Sequence, residues 1–221
     1  RPLVFFEHFS NSAITDECEG TNVEGNITNN FNNGAWNPNS LPGSCGQYWE
    51  SLYEGIRKTN LIIENVEKYD TPDNPQQDGD LRKRIGEMYF MRGYFHMLLA
   101  RMYGEIPYID RVIHTGDNMD FKKESVHSIV EKIVTDAQTA FEMVPNKYIK
   151  TAENFGRVDQ GACLGLIAYV RWIAATPLWN GASDYGYTLS RVFESEYAYD
   201  ADRWRKAKDA ADAVLNFEVG G

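Results

Sequence analysis

The segment that decides the fold is Leu81 to Pro107, LRKRIGEMYFMRGYFHMLLARMYGEIP. Its apolar side chains at Leu81, Ile85, Met88, Phe95, Leu99 and Met102 recur at steps of three, four or seven, the spacing that keeps one helical face against a core. Position 92 belongs to that face and is an arginine. Gly104 can take the left-handed conformation that closes a helix, and Pro107 cannot continue one. The segment reads as a long amphipathic helix with a marked end and a guanidinium set inside its apolar stripe.

Upstream, Trp49, Leu52, Tyr53, Ile56, Ile63 and Val66 mark a helix from Gln47 to about Tyr69, where Thr71-Pro72 ends it. Asn60 is the polar intruder in that stripe. The turn PDNPQQDGD joins this helix to the next, and two helices so joined form a hairpin. Downstream the pattern repeats. Ser125 caps a helix with buried positions at Val126, Ile129, Ile133, Ala137, Ala140 and Val144, stopped by Pro145. Another runs from about Val158 to Ala175, before Pro177, and its Gly161, Gly165 and Ala168 have the spacing that admits a neighbouring backbone. A fifth begins at Asp202, with Trp204, Ala207, Ala211 and Val214 on one face. Two hairpins and half of a third predict an all-α solenoid of tetratricopeptide type over 47–221, spaced more loosely than its usual ~34 residues. A solenoid needs a closing repeat, so we expect a fragment of a longer protein, incomplete on its C-terminal side. Residues 1–46 are irregular and crowded with Asn and Gly, as loops are.

Charge narrows the function. The 221 residues hold 32 Asp and Glu against 22 Lys and Arg, a net charge of −10, with no basic block to meet a nucleic acid or an anionic membrane. No apolar run reaches the ~20 residues of a bilayer span, and Cys163–Ala175 is interrupted by Arg171. Cys18, Cys45 and Cys163 match no zinc spacing. Cys163 reads as a small buried thiol, whereas Cys18 and Cys45 are a candidate disulfide in an oxidising compartment. His8, His96, His114 and His127 are scattered without nucleophile or metal spacing, and there is no glycine-rich phosphate loop. We expect no enzyme, no metal and no cofactor.

Several stretches resemble one family. YWESLYEGIRKTNLIIENV looks like the first tetratricopeptide-like helix of SusD/RagB proteins, surface lipoproteins that capture nutrients for a TonB-dependent transporter. Glu87, Arg92, Gly93, Tyr94, Phe95, Leu98 and Tyr103-Gly104-Glu105-Ile106-Pro107 resemble the family's Glu…Arg-Ala-Tyr-Tyr…Leu…Tyr-Gly-Asp-Val-Pro pattern, with Gly93 in place of alanine. FGRVDQGACLGLIAYVRWIAA resembles its Gly-Arg…Gly-Ala…Ala-Leu-Leu-Ala helix, and Thr15-Asp16-Glu17 its Ser-Asp-Asp/Glu element. The match runs in order over roughly residues 14 to 219. It implies a non-catalytic oligosaccharide-binding protein, lipid-anchored on the outer face of the outer membrane and partnered with a SusC-like TonB-dependent transporter. The RagB branch makes a peptide ligand the alternative, as does a tetratricopeptide scaffold that holds peptides in its groove. We expect the lipid anchor to lie outside these 221 residues.

The resemblance also implies site residues. The family's ligand-stacking tryptophan falls at about Trp36, with a polar partner at Asn37 or Asn39, and Asp16 and Glu19 are further candidates. Sugars offer apolar faces to an aromatic ring and hydroxyls to amides and carboxylates. A tryptophan that pins a long loop to the bundle is the equal alternative. Rings at Trp179, Tyr185, Tyr187, Phe193, Tyr197 and Tyr199 suggest either a contact surface or self-packing of a loop. Arg92 and Asn60 read as a structural network. A buried guanidinium costs several kcal/mol unless paired, and Asn60, backbone carbonyls, Glu87 or Glu54 are its expected partners.

Overall fold

In the computed structural model residues 32–35, 43–69, 79–147, 151–181 and 197–218 are described. They hold five α-helices: α1 (Gly43–Tyr69), α2 (Gly79–Tyr103), α3 (Val126–Met143), α4 (Gln160–Ala175) and α5 (Ala201–Leu215). The described residues form no β-sheet, only an isolated bridge between Ile106 and Glu124. The chain divides into two compact units, Arg1–Glu54 and Gly55–Gly221. In the first, Tyr48 and Leu52 are buried and Trp49 tilts onto Tyr53 with ring centroids 4.8 Å apart.

Helix ends in the second unit follow local chemistry. Gly104 adopts φ +73 and its amide donates to Ala100 O at 2.9 Å, the left-handed closure expected of α2. Ser125 Oγ accepts from Ser128 N at 3.1 Å and so caps α3. Asp159 accepts from Ala162 N at 2.9 Å, which sets the start of α4 at Gln160 rather than at Val158.

Helix α3 runs antiparallel to α2, and small residues make the approach close. A Cβ on Gly86 would stand 2.7 Å from Met143 Cβ and 3.2 Å from Ala140 O. One on Gly93 would meet Asp136 and Ile133 at 3.5 Å, ordinary contact, so packing does not explain the glycine there. The apolar stripe read from the sequence is only part of what α2 buries. His96 to Ala100 are buried as a continuous run, while Leu81 is exposed. Two elements cover the end of the helix at once, α3 on one side and the extended segment after Gly104 on another.

Helix α4 lies antiparallel to α3: Ala140, Val144 and Cys163 share a core cluster with Tyr89 and Phe90, and Gln160 Nε2 donates to Phe141 O. Burial pushes the Cys163 thiol up to about 12, so it is an inert apolar filler. The small-residue face of α4 differs from expectation. A Cβ on Gly165 would have nothing within 4 Å among the described atoms, and one on Gly161 would touch the Phe217 ring at 3.6 Å. In α5 the expected stripe is largely uncovered, with Ala207 buried and Trp204 42% exposed.

Candidate functional site

The buried arginine of α2 has a full set of partners. Arg92 Nε donates to Asp136 Oδ2 at 2.8 Å and Nη2 to Asp136 Oδ1 at 2.5 Å, a bidentate pair between α2 and α3. Its Nη1 donates to Asn60 Oδ1 at 3.0 Å and to Asp110 O at 2.9 Å. Asn60, a backbone carbonyl and a carboxylate are the expected kinds of partner, but the carboxylate comes from a third helix. Asp136 supplies it in place of Glu87 or Glu54, because α3 presents that residue directly across from Gly93. Glu87 instead accepts from Arg157 Nε at 2.7 Å and from its Nη2, and so ties α2 to the turn before α4. Burial works against the Arg92 charge, and Asp136 outweighs it, holding the guanidinium pKa above its usual value.

The same network fastens the chain that follows Gly104. Asn60 Nδ2 donates to Ile109 O and Arg111 O, and Arg57 Nη1 to Ile113 O. His96 Nε2 accepts from Ile109 N at 3.0 Å, so its Nδ1 carries the proton and donates to Arg92 O at 2.9 Å. The imidazole stacks on Tyr108 at 3.8 Å, and Tyr108 donates from its hydroxyl to Asp136 Oδ2 at 2.7 Å. Burial holds the His96 pKa down at about 3. A buried segment without helix or sheet must give its peptide groups to side chains, and here it does. Arg92, His96, Tyr108 and Asp136 are all buried, so the arrangement holds structure and offers no reacting group to a substrate.

The residues assigned to ligand binding from sequence, Asp16, Glu19, Trp36, Asn37 and Asn39, lie outside the described residues, as do Cys18 and the side chain of Cys45. Of the aromatic loop, Tyr185, Tyr187 and Phe193 lie outside as well. Trp179 and Tyr197 pack on each other at 5.6 Å. The Tyr197 hydroxyl donates to Glu105 Oε1 and accepts from Val126 N, and His127 Nε2 donates to Trp179 O at 2.8 Å. These two rings pin the loop base to the bundle, whereas Tyr199 stays exposed.

Between α3, α4 and α5 lies an open cleft of about 200 Å³. Val130 and Ala174 form apolar wall, and Arg171, Arg203 and Lys206 line it with Glu131, Asp200 and His127. Arg171 forks onto Glu131, with Nη2 to Oε2 at 2.7 Å, and Lys206 Nζ stands 3.3 Å from Glu131 Oε1. The Arg171 hydrogen bond above all holds the Glu131 carboxyl below its ordinary range. No local spacing in the sequence announces this cleft, because its residues come from three helices. Among the described residues no cluster of three or more His, Cys, Asp or Glu could hold a metal ion, and no helix is long and apolar enough to cross a membrane.

Comparison with known proteins follows the same lines. A family model described as SusD-like, starch-binding and associating with the outer membrane, matches residues 6–171. A SusD-like protein P2 from Formosa agariphila is 27% identical over 135 residues, 61% of this chain and 25% of that protein. The crystal structure of a SusD homologue from Bacteroides thetaiotaomicron superposes with a TM-score of 0.63 at 22% identity, over 83% of this chain and 32% of that one. A laminarin-binding SusD-like protein gives 0.60 at 18% identity, over 85% and 32%. The chain thus spans a quarter to a third of the length of the relatives it matches.

Proposed function

This chain belongs to the SusD-like family, and on that premise we propose that it is the helical part of a cell-surface protein that binds an oligosaccharide without cleaving it and passes it to a TonB-dependent outer-membrane transporter. The observation that carries the reading is the match over residues 6–171 to a family described by starch binding and outer-membrane association. The name of the laminarin-binding relative supports a glycan as cargo. The buried network supports it indirectly, since a rigid bundle is a platform on which loops present ligand-binding side chains.

In this reading Trp36 stacks on a sugar ring, Asn37, Asn39, Asp16 and Glu19 bond its hydroxyls, and the helical region faces the transporter. A lipid anchor holds the protein on the outer face of the membrane. Calorimetric titration with laminari-oligosaccharides, comparing the chain with Trp36→Ala, is the test. We expect at least a tenfold loss of affinity, about 1.4 kcal/mol, with unchanged helical circular dichroism. An unchanged affinity removes Trp36 from the site. Cleavage of the oligosaccharide, or binding of peptides in its place, overturns the reading.

A further inference from the structure

We propose that Asn33 is a site of spontaneous deamidation, a modification by water that a second asparagine of the same local sequence, Asn180, escapes. Asparagine is followed by glycine at two places in the chain, Asn33-Gly34 and Asn180-Gly181. Such a pair is chemically labile because glycine, having no Cβ, lets its own amide nitrogen reach the side chain before it. Water is the only reagent the reaction needs. Gly34 N gives its proton to solvent and bonds to Asn33 Cγ. The Cγ–Nδ2 bond then breaks, and the nitrogen leaves as ammonia with a proton taken back from solvent. The resulting five-membered succinimide adds one water at either carbonyl and opens to aspartate or to its β-linked isomer.

The two sites stand under opposite conditions. Asn33 and Gly34 lie in an exposed turn where Gly34 adopts φ +68. A Cβ on Gly34 would meet nothing within 4 Å among the described atoms, so the ring has room to close and water has access. Asn180 is 3% exposed, and its amide is tied at both ends. Its Nδ2 donates to Ala175 O at 3.4 Å and Asp200 O at 3.1 Å, and its Oδ1 accepts from Asp200 N at 2.7 Å and Arg203 Nη1 at 2.8 Å. The nitrogen that would attack it, Gly181 N, donates to Tyr197 O at 2.9 Å. A Cβ on Gly181 would stand 2.7 Å from Tyr199 Cβ, so the space beside this peptide is already filled. Reaction at Asn180 therefore waits on local opening of the fold, and reaction at Asn33 does not. Conversion of Asn33 adds one negative charge to a chain already at −10, and the β-linked product inserts a methylene into the main chain three residues before Trp36.

The modification is read by mass and does not depend on what Trp36 binds. The chain would be aged at mildly alkaline pH, in buffer and in urea, and its peptides mapped by mass spectrometry, with enzymatic methyl labelling of the β-linked isomer. In buffer Asn33 converts at least about tenfold faster than Asn180, whereas in urea the two rates come together. Asn33→Gln removes the modified peptide and leaves the helical circular dichroism unchanged. An Asn33 that persists in the folded chain, an Asn180 that keeps pace with it there, or aspartate formed without the β-linked isomer overturns the proposal.

Discussion

Two arginine–carboxylate forks stand in this molecule under opposite conditions. Arg92 and Asp136 join α2 to α3 with side chains 8% and 6% exposed, and Arg171 and Glu131 join α4 to α3 with side chains 15% and 52% exposed. The bond geometry is nearly the same, and the surroundings decide what each is worth. Inside, neither charge has water to fall back on, so each group is held to its place by the cost of losing the other. At the cleft, solvent screens the pair and can replace either partner. The inner fork specifies how the helices meet, and the outer one joins two helices where water can compete for both partners.

Breaking the inner fork has the largest expected effect. Asp136→Ala leaves the guanidinium buried and the Tyr108 hydroxyl without its acceptor, and we expect a loss of about 3–5 kcal/mol in urea unfolding. A loss below about 1 kcal/mol would make the two forks equivalent and end the contrast.

Acid sharpens the comparison through His96. In the unfolded chain this imidazole takes a proton below its ordinary value of 6.5; in the fold it does so only near 3. Between those values the unfolded state binds more protons, so stability falls as the pH falls. The slope is about 1.4 kcal/mol per pH unit for one such group. Urea midpoints measured from pH 6 to pH 4 should show that slope in the native chain, and His96→Phe should lose one proton's share of it.

The outer fork gives the smallest effect. Glu131→Gln should cost less than about 1 kcal/mol at neutral pH. A cost of several kcal/mol would mean that the cleft pair, too, is part of the core.

Periodicity made the helices legible, along with the two ends that rest on one residue's chemistry, Ser125 and Gly104. It did not choose partners. Asp136 follows Ile133 by three positions on the buried face of α3, so a carboxylate facing the core was visible in the pattern. What the pattern lacks is the register between helices, and register decided that Arg92 meets Asp136 while Glu87 meets Arg157. The stretch from Glu105 to Ile113 has no period, because its peptide groups bond to side chains on α1 and α2 rather than to each other. The cleft was illegible for a related reason: Glu131, Arg171 and Lys206 are 35 or more residues apart in sequence and meet only after α3, α4 and α5 have packed. Trp36 and its neighbours enter only through family resemblance, since no repeat or period in the sequence marks them.

The separation of 44 residues between Arg92 and Asp136 has a consequence for how the protein is made. As the chain leaves the ribosome, α2 emerges with Arg92 open to water on the face that α3 later covers. That face closes around the guanidinium only when the middle of α3 brings Asp136. Assembly is then cooperative across repeats, unlike a solenoid whose modules add one at a time.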